Sequence, residues 1–261
     1  MDMTELDSLR IVLDPIGQAG VALALMLVMF SVALGLRVDD FRFLRDQPVL
    51  FLGGVVAQVL VLPFITYLLI IVMAPPASIA LGMIVVACCP GGAVSNLMTY
   101  LSRGNVAVSV ALTATSSMLA AILTPASILF WSHVYEPTSS LLQTLDVSPY
   151  LFLAQTMFLL AVPLALGMTV AAKAPDVAAR IKRRATLLGG SVLVGVIIYG
   201  IAYFFDILFP VLSVLGVLVI VHNAVAFVTG AAAGMVLSRV TATRRALTFE
   251  LGIQNAGLAL V

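Results

Sequence analysis

The chain consists of long apolar stretches separated by short polar or charged ones. A helix needs about 20 consecutive apolar residues to cross the hydrocarbon core of a bilayer. Eight stretches come close to that length: 16–36, 48–73, 77–101, 105–131, 149–172, 186–205, 208–237 and 244–261. The pattern predicts an all-α polytopic membrane protein with a single transmembrane domain over residues 1–261. Because the eighth stretch is still apolar at Val261, we expect the chain to lack the end of this helix and at least one further helix.

The composition supports this fold class and excludes several functions. The 261 residues are 62% hydrophobic and 10% charged, whereas soluble domains are about 45–50% apolar and about 25% charged. A net charge of +1 leaves no basic footprint for nucleic acid. Two adjacent cysteines cannot form a disulfide framework. We therefore expect the lipid bilayer, and no nucleic acid, among the partners.

The basic residues predict the orientation in the membrane. With the amino terminus outside, 12 of the 13 basic residues face the cytoplasm, in the loops 37–47, 102–104, 173–185 and 238–245. This distribution follows the positive-inside rule. The run "IKRR" from Ile181 could bind lipid head groups, but its position favours a topology anchor. The expected location is the plasma (cytoplasmic) membrane.

One carboxylate remains within an apolar stretch. Glu250 lies in "TFELGIQNAGLALV", and no basic residue in any apolar segment can pair with it. Such a residue is costly in a membrane, so it is protonated, lies at a wet interface or holds a cation. Gln254 lies four residues further, on the same helical face, and Asn255 follows it.

The stretch "CCPGGAVSN" interrupts the third apolar segment. Pro90 lacks an N–H group, and Gly91 and Gly92 tolerate backbone that is not helical, which predicts a kink or a break. Unwound backbone at membrane depth persists only where it is buried in protein or lines a wet cavity. A half-helix beginning near Gly92 could face an anion with its free N–H groups. Ser95 and Asn96 follow the break with oxygens that could bind a cation.

Further isolated oxygens are found in the neighbouring segments. Ser109 and Thr113 share one face of the next helix, and Gln58 is a lone amide in "VVAQVLVLPF". Sodium is a hard cation that suits neutral oxygens with one carboxylate. His222 is interpreted as a packed residue and Cys88 and Cys89 as small packing residues. The sequence contains no HExxH, CxxC or P-loop motif, so it does not indicate an enzyme.

The two irregular segments are the third and the eighth of the eight stretches, an odd number of positions apart, so they cross the membrane in opposite directions. This relationship is typical of an inverted-repeat transporter in which two discontinuous helices meet near the midplane. The internal similarity is slight, "AVSNLMT" against "GIQNAGL".

These motifs together resemble the bile acid:sodium symporter family, in particular "CCPGGAVSNLMTYLSRGNVAVSVALT", "LTFELGIQNAGLA", "VHNAVAF" and "VVAQVLVLPF". The chain looks like the nine-helix form of that family. The resemblance implies an inverted-repeat fold with a panel domain, about 16–73 and 149–205, and a core domain, about 77–131 and 208–261. The core would contain two crossing discontinuous helices.

The resemblance also implies two sodium sites and a substrate site. One sodium site would use Ser95, Asn96, Ser109, Thr113 and Glu250. The other would use Gln58, Gln254, the shared Glu250 and the backbone carbonyls of Leu251 and Ile253. Gly92, Ala93 and Asn255 would contact the substrate, although Ala93 stands where similar sequences often carry Thr.

The implied function is sodium-coupled symport of an organic anion, a bile acid or another small carboxylate, by alternating access with two sodium ions. Sodium would be the only metal, and the protein would not be an enzyme. A membrane receptor that does not transport, and an intramembrane enzyme, are the alternatives from other classes. An arsenite-type carrier with Cys88 or Cys89 as ligands is a more distant one.

Overall fold

The computed structural model describes residues 14–35, 45–144 and 148–255. These residues form the helices α1 (Pro15–Ala33), α2 (Pro48–Met73), α3 (Ala77–Cys88), α4 (Ala93–Leu101), α5 (Val106–Val134), α6 (Glu136–Thr144), α7 (Pro149–Lys173), α8 (Pro175–Tyr203), α9 (Phe205–Leu237) and α10 (Thr241–Gly252). Five helices among the described residues are long and apolar enough to span a membrane: α2, α5, α7, α8 and the Leu215–Leu237 part of α9. The predicted fold class, an all-α membrane protein, is confirmed.

The helix boundaries correct two of the predicted loops. Helix α8 begins at Pro175 with Asp176 in its first turn, so the predicted loop 173–185 is wrong. Proline at the first helical position and an acidic residue in the first turn both favour a helix start. Only Ala174 separates α7 from α8, and the basic run lies on the first turns of α8. Likewise, α10 begins at Thr241, which shortens the predicted loop 238–245.

The other two predicted loops have different outcomes. Ser102–Gly104 is a tight connection between α4 and α5, in which Arg103 has a left-handed backbone with φ of 57°. Most of the loop 37–47 lies outside the described residues. Helix α6 was not predicted, because its polar sequence "EPTSSLLQT" gives no hydropathy signal.

The helices pack in two groups. Helices α1, α7 and α8 contact one another, while α3, α4, α5, α9 and α10 form a second set of neighbours with α2. The two groups meet mainly where α7 packs against α5. In that contact Leu160 of α7 is fully buried, in a cluster with Leu25 and Met29 of α1 and Ala121 of α5.

Helix α2 packs against the second group, whereas the predicted panel domain contained it. Its Gly53 and Gly54 bring the backbone close to neighbours: a Cβ on Gly53 would lie within 2.9 Å of Leu237, and one on Gly54 within 2.8 Å of Leu112. Small residues allow helices in a membrane to approach in this way. The packing of α2 with α3, α5 and α9 therefore favours grouping it with the predicted core helices.

A π-helical turn, Ala57–Val61, interrupts α2 just before Pro63. Proline cannot donate a backbone hydrogen bond and its ring crowds the preceding turn, and a widened turn accommodates both effects. The turn contains Gln58, which is buried. The irregular turn thus places an amide side chain inside the group of helices.

Candidate functional site

The predicted interruption of the third apolar stretch is confirmed. Helix α3 ends at Cys88, and α4 begins at Ala93 after Gly92, whose φ of −114° and ψ of 173° are extended. The carbonyl oxygen of Cys88 accepts a hydrogen bond of 3.0 Å from Thr124 Oγ1 of α5. A neighbouring side chain therefore satisfies a backbone group that the break leaves without a helical partner.

The end of α10 crosses this break. After Gly252 the chain becomes extended, Gln254 forms an antiparallel bridge with Gly91, and the Asn255 N–H donates to the Pro90 carbonyl at 2.9 Å. Asn223 Nδ2 of α9 donates to the carbonyl of Gly252 at 3.3 Å. The two irregular segments thus satisfy each other's backbone, as unwound backbone in a membrane requires.

Glu250 lies beside the crossing and is fully buried. Three hydroxyls surround its carboxylate: Ser95 Oγ at 2.8 Å and Ser109 Oγ at 3.1 Å from Oε2, and Thr113 Oγ1 at 2.6 Å from Oε1. The Ser109 and Thr113 hydroxyls also lie 2.7 and 3.3 Å from Asn96 Oδ1. The five side chains predicted for the first sodium site are therefore brought together.

The cluster is rich in oxygen atoms. Each of the Ser95, Ser109 and Thr113 hydroxyls lies within 3.3 Å of at least two other oxygens. The carboxylate of Glu250 is the one ionisable group among these contacts, and its partners are neutral hydroxyls. One carboxylate among neutral oxygens is a donor set that suits a hard cation such as sodium.

The close approach of the two segments depends on Gly91. A Cβ on Gly91 would lie 2.6 Å from the carboxyl carbon of Glu250 and 3.2 Å from its carbonyl oxygen. Ordinary contacts between carbon atoms are about 3.5–4.0 Å. The glycine is therefore needed for space.

The residues predicted for the second sodium site are brought together in part. Gln58 Nε2 donates to Gln254 Oε1 at 3.2 Å, and Gln254 Nε2 donates to the Leu251 carbonyl at 2.8 Å. The Glu250 carboxylate contacts the Ser95, Ser109 and Thr113 hydroxyls of the first set, so the two sets are joined through the backbone from Glu250 to Gln254. Ile253 lies in the extended segment and faces a cleft.

A cleft of about 670 Å³ lies between the two groups of helices. Gly92 and Asn255, two of the predicted substrate contacts, line it, and so do Asn96 and Thr113 of the carboxylate cluster. Ala93 is the first residue of α4 and directly follows Gly92 in the chain. Val28 and Val32 of α1 and Leu193 of α8 supply apolar surface on the other side. The cleft thus combines an apolar wall with polar groups at one side, as binding sites for organic molecules do.

Two polar residues near the site were not predicted. Thr99 donates from Oγ1 to Ser109 Oγ at 3.2 Å, and it lies one helical turn after Ser95. That spacing was a usable signal. Asn223 could be noticed only as an amide within an apolar helix. Its neighbour His222 is buried, 3.1 Å from Thr66 Oγ1, which agrees with its interpretation as a packed residue.

A family model described as the sodium bile acid symporter family matches residues 22–233. The chain belongs to this family. Membership confirms the resemblance seen in the motifs and identifies an integral membrane protein of a transporter family, not an enzyme.

Curated relatives match over most or part of the chain. A protein of Bacillus subtilis named as the uncharacterized sodium-dependent transporter YocS is 31% identical over 241 residues, which are 91% of this chain and 71% of that protein. The human ileal sodium/bile acid cotransporter is 27% identical over 90% of this chain and 66% of its own length. A probable sodium/metabolite cotransporter of Arabidopsis thaliana chloroplasts, BASS1, is 39% identical over 39% of this chain and 25% of its own length.

Proposed function

We propose that the protein is a sodium-coupled symporter of an organic anion. The observation that carries the proposal is the fully buried carboxylate of Glu250, which is surrounded by the neutral hydroxyls of Ser95, Ser109 and Thr113. A carboxylate with only neutral partners is costly at membrane depth, and a bound cation would supply the missing charge. The relatives named as sodium-dependent transporters support sodium as that cation.

The proposal includes two sodium ions. Ser95, Asn96, Ser109, Thr113 and Glu250 would hold the first ion. Gln58, Gln254, Glu250 and the carbonyls of Leu251 and Ile253 would hold the second. In the present arrangement the Gln254 amide donates a hydrogen bond to the Leu251 carbonyl. The side chains of Gln58 and Gln254 therefore have to reorient before the second ion can bind.

The substrate would bind in the cleft beside the crossing. The N–H groups at the start of α4 open near Gly92, and the positive end of a helix attracts an anion. Ala93 and Asn255 would complete this contact with the carboxylate. Sodium and anion would then bind side by side, which couples their transport.

Alternating access would proceed by movement between the two groups of helices that border the cleft. We propose α1, α7 and α8 as the panel domain. The core domain would contain α3, α4, α5, α9 and α10, with α2 added to it because of its packing. The protein would lie in the cytoplasmic membrane with its amino terminus outside.

The arsenite-type alternative is weaker than the proposal. Cys88 Sγ lies 3.3 Å from Ser127 Oγ, and Cys89 Sγ contacts the carbonyl of Val85 on its own helix. Both thiols are buried, and their contacts are those of packed residues rather than of a ligand set.

The test uses the full-length protein, purified and reconstituted in proteoliposomes. Thermal stability is measured in sodium and in potassium, with and without carboxylates ranging from pyruvate to cholate, and uptake of the same compounds is then measured. We expect stabilisation by sodium and uptake that requires an inward sodium gradient. Sodium-dependent binding without uptake would favour a receptor. Thermal stability and uptake that are the same in sodium and in potassium would refute the proposal.

A further inference from the structure

The wall of the cleft opposite the crossing carries one charged residue. Lys182 lies on the first turns of α8, and among the described residues that line the cleft it is the only one with a formal charge. The other residues of α8 on this wall are Thr186, Gly190 and Leu193. Their spacing of four, four and three residues places them with Lys182 on one helical face.

The position of the ammonium group distinguishes Lys182 from the rest of the basic run. Its side chain reaches toward α1, where a Cβ on Gly35 would lie 2.8 Å from Lys182 Cε and in still closer contact with Nζ. Arg183 and Arg184 follow directly in the sequence but do not line the cleft. Successive residues in a helix differ by about 100° in direction, so these arginines point to other faces.

We propose that Lys182 is a specificity-determining residue that binds an anionic group of the transported molecule. The inference rests on the proposed function and adds a cationic contact on the panel side, away from the sodium sites. A compact ammonium group at the edge of an apolar cleft attracts a carboxylate or sulfonate and disfavours neutral or cationic molecules. The substrate would thus contact the start of α4 on one side and Lys182 on the other.

The competing role for Lys182 is structural. A basic side chain near the carboxyl end of a helix can stabilise its last carbonyls, and Gly35 follows the C-cap residue of α1, Leu34. Such a role would affect the stability of the protein without affecting its affinity for an anion. The two roles therefore differ in what a substitution changes.

The test compares K182Q with K182R and with R183Q, in the full-length protein. K182Q and R183Q each remove one positive charge from the same turn, but only the first removes it from the cleft. KM and the maximal rate are measured for the carboxylate that wild type takes up with the lowest KM, and stabilisation by sodium is measured without any anion. Losing a hydrogen bond to a charged group predicts that K182Q raises KM about tenfold to hundredfold.

K182R should retain most of the affinity, R183Q should match wild type, and all three variants should keep their stabilisation by sodium. An unchanged KM in K182Q, with or without a lower melting temperature, would overturn the inference and leave the proposed function intact. If wild type shows neither stabilisation by sodium nor uptake of any carboxylate, the proposed function fails and the inference fails with it.

Discussion

Replacing Gly91 by alanine should disable the proposed first sodium site without unfolding the protein. The added Cβ would lie 2.6 Å from the carboxyl carbon of Glu250, so the carboxyl group has to retreat by about 1 Å to reach ordinary contact. Its hydrogen bonds of 2.8 Å from Ser95 and 2.6 Å from Thr113 would then lengthen beyond useful range. The backbone itself tolerates alanine, because no described glycine has a positive φ.

The expected magnitude follows from the displacement of the carboxylate. The Ser95 and Thr113 hydroxyls orient this proposed ligand, and losing such orienting partners typically lowers metal affinity by about 10- to 100-fold. The sodium concentration that half-stabilises the protein should rise by that factor.

Gly82→Ala is the matched control. Gly82 lies within α3, nine residues before Gly91, and a Cβ there meets nothing within 4 Å. Alanine is favoured over glycine inside a helix by about 1 kcal/mol, so this variant should keep the sodium response of wild type. The assay is thermal unfolding in a sodium titration at constant ionic strength, with the elution profile as a check on folding. A G91A protein with the wild-type sodium response would refute the argument for close approach.

Three further predictions concern the ions. Glu250→Gln removes the carboxylate that both proposed sodium sites share, so sodium-stimulated uptake should be abolished while the elution profile stays that of a folded protein. Gln58→Ala affects only the second proposed site, so the Hill coefficient for sodium-dependent uptake should fall toward one while stabilisation by sodium persists. A Hill coefficient that stays near two would assign Gln58 a structural role. Two sodium ions carried with one monovalent anion move one net charge, which draws about 2.3 kcal/mol from a potential of 100 mV. An inside-negative potential set by valinomycin and potassium should therefore accelerate uptake. An uptake rate that does not change with the potential would exclude this stoichiometry.

Hydropathy predicted most of the spans but not where every helix begins. The length of an apolar stretch indicates how many residues can lie in the hydrocarbon core of the bilayer. The helix that contains this stretch can extend beyond it into water. Helix α8 does so: Pro175 and Asp176 start it well before the apolar part, and basic residues are good helix formers. The signals for a helix start were present, but the charge pattern suggested a loop.

Local chemistry predicted the site better than it predicted the packing. Pro90 stands beside Gly91 and Gly92, whereas Pro125 and Pro163 lack such glycines and lie inside α5 and α7. Glu250 has no basic partner in any apolar stretch, so both features stood out in the sequence. The grouping of α2 could not be inferred, because it depends on which neighbours Gly53 and Gly54 allow to approach. The sequence did not distinguish Lys182 from the other basic residues of its run, because the direction of each side chain depends on where the helix begins.

The crossing of the two irregular segments has a consequence for biogenesis. Ser95 and the carboxylate it contacts are 155 residues apart in the chain. At about 5–20 residues per second, a ribosome takes on the order of ten to thirty seconds to synthesise that interval. During this interval the unwound backbone at Pro90 is already in the membrane, but its hydrogen-bond partner Asn255 has not yet been synthesised. The nascent protein must therefore keep this segment hydrated or shielded until α10 arrives, and chains truncated before Thr241 should be recognised and degraded as unassembled.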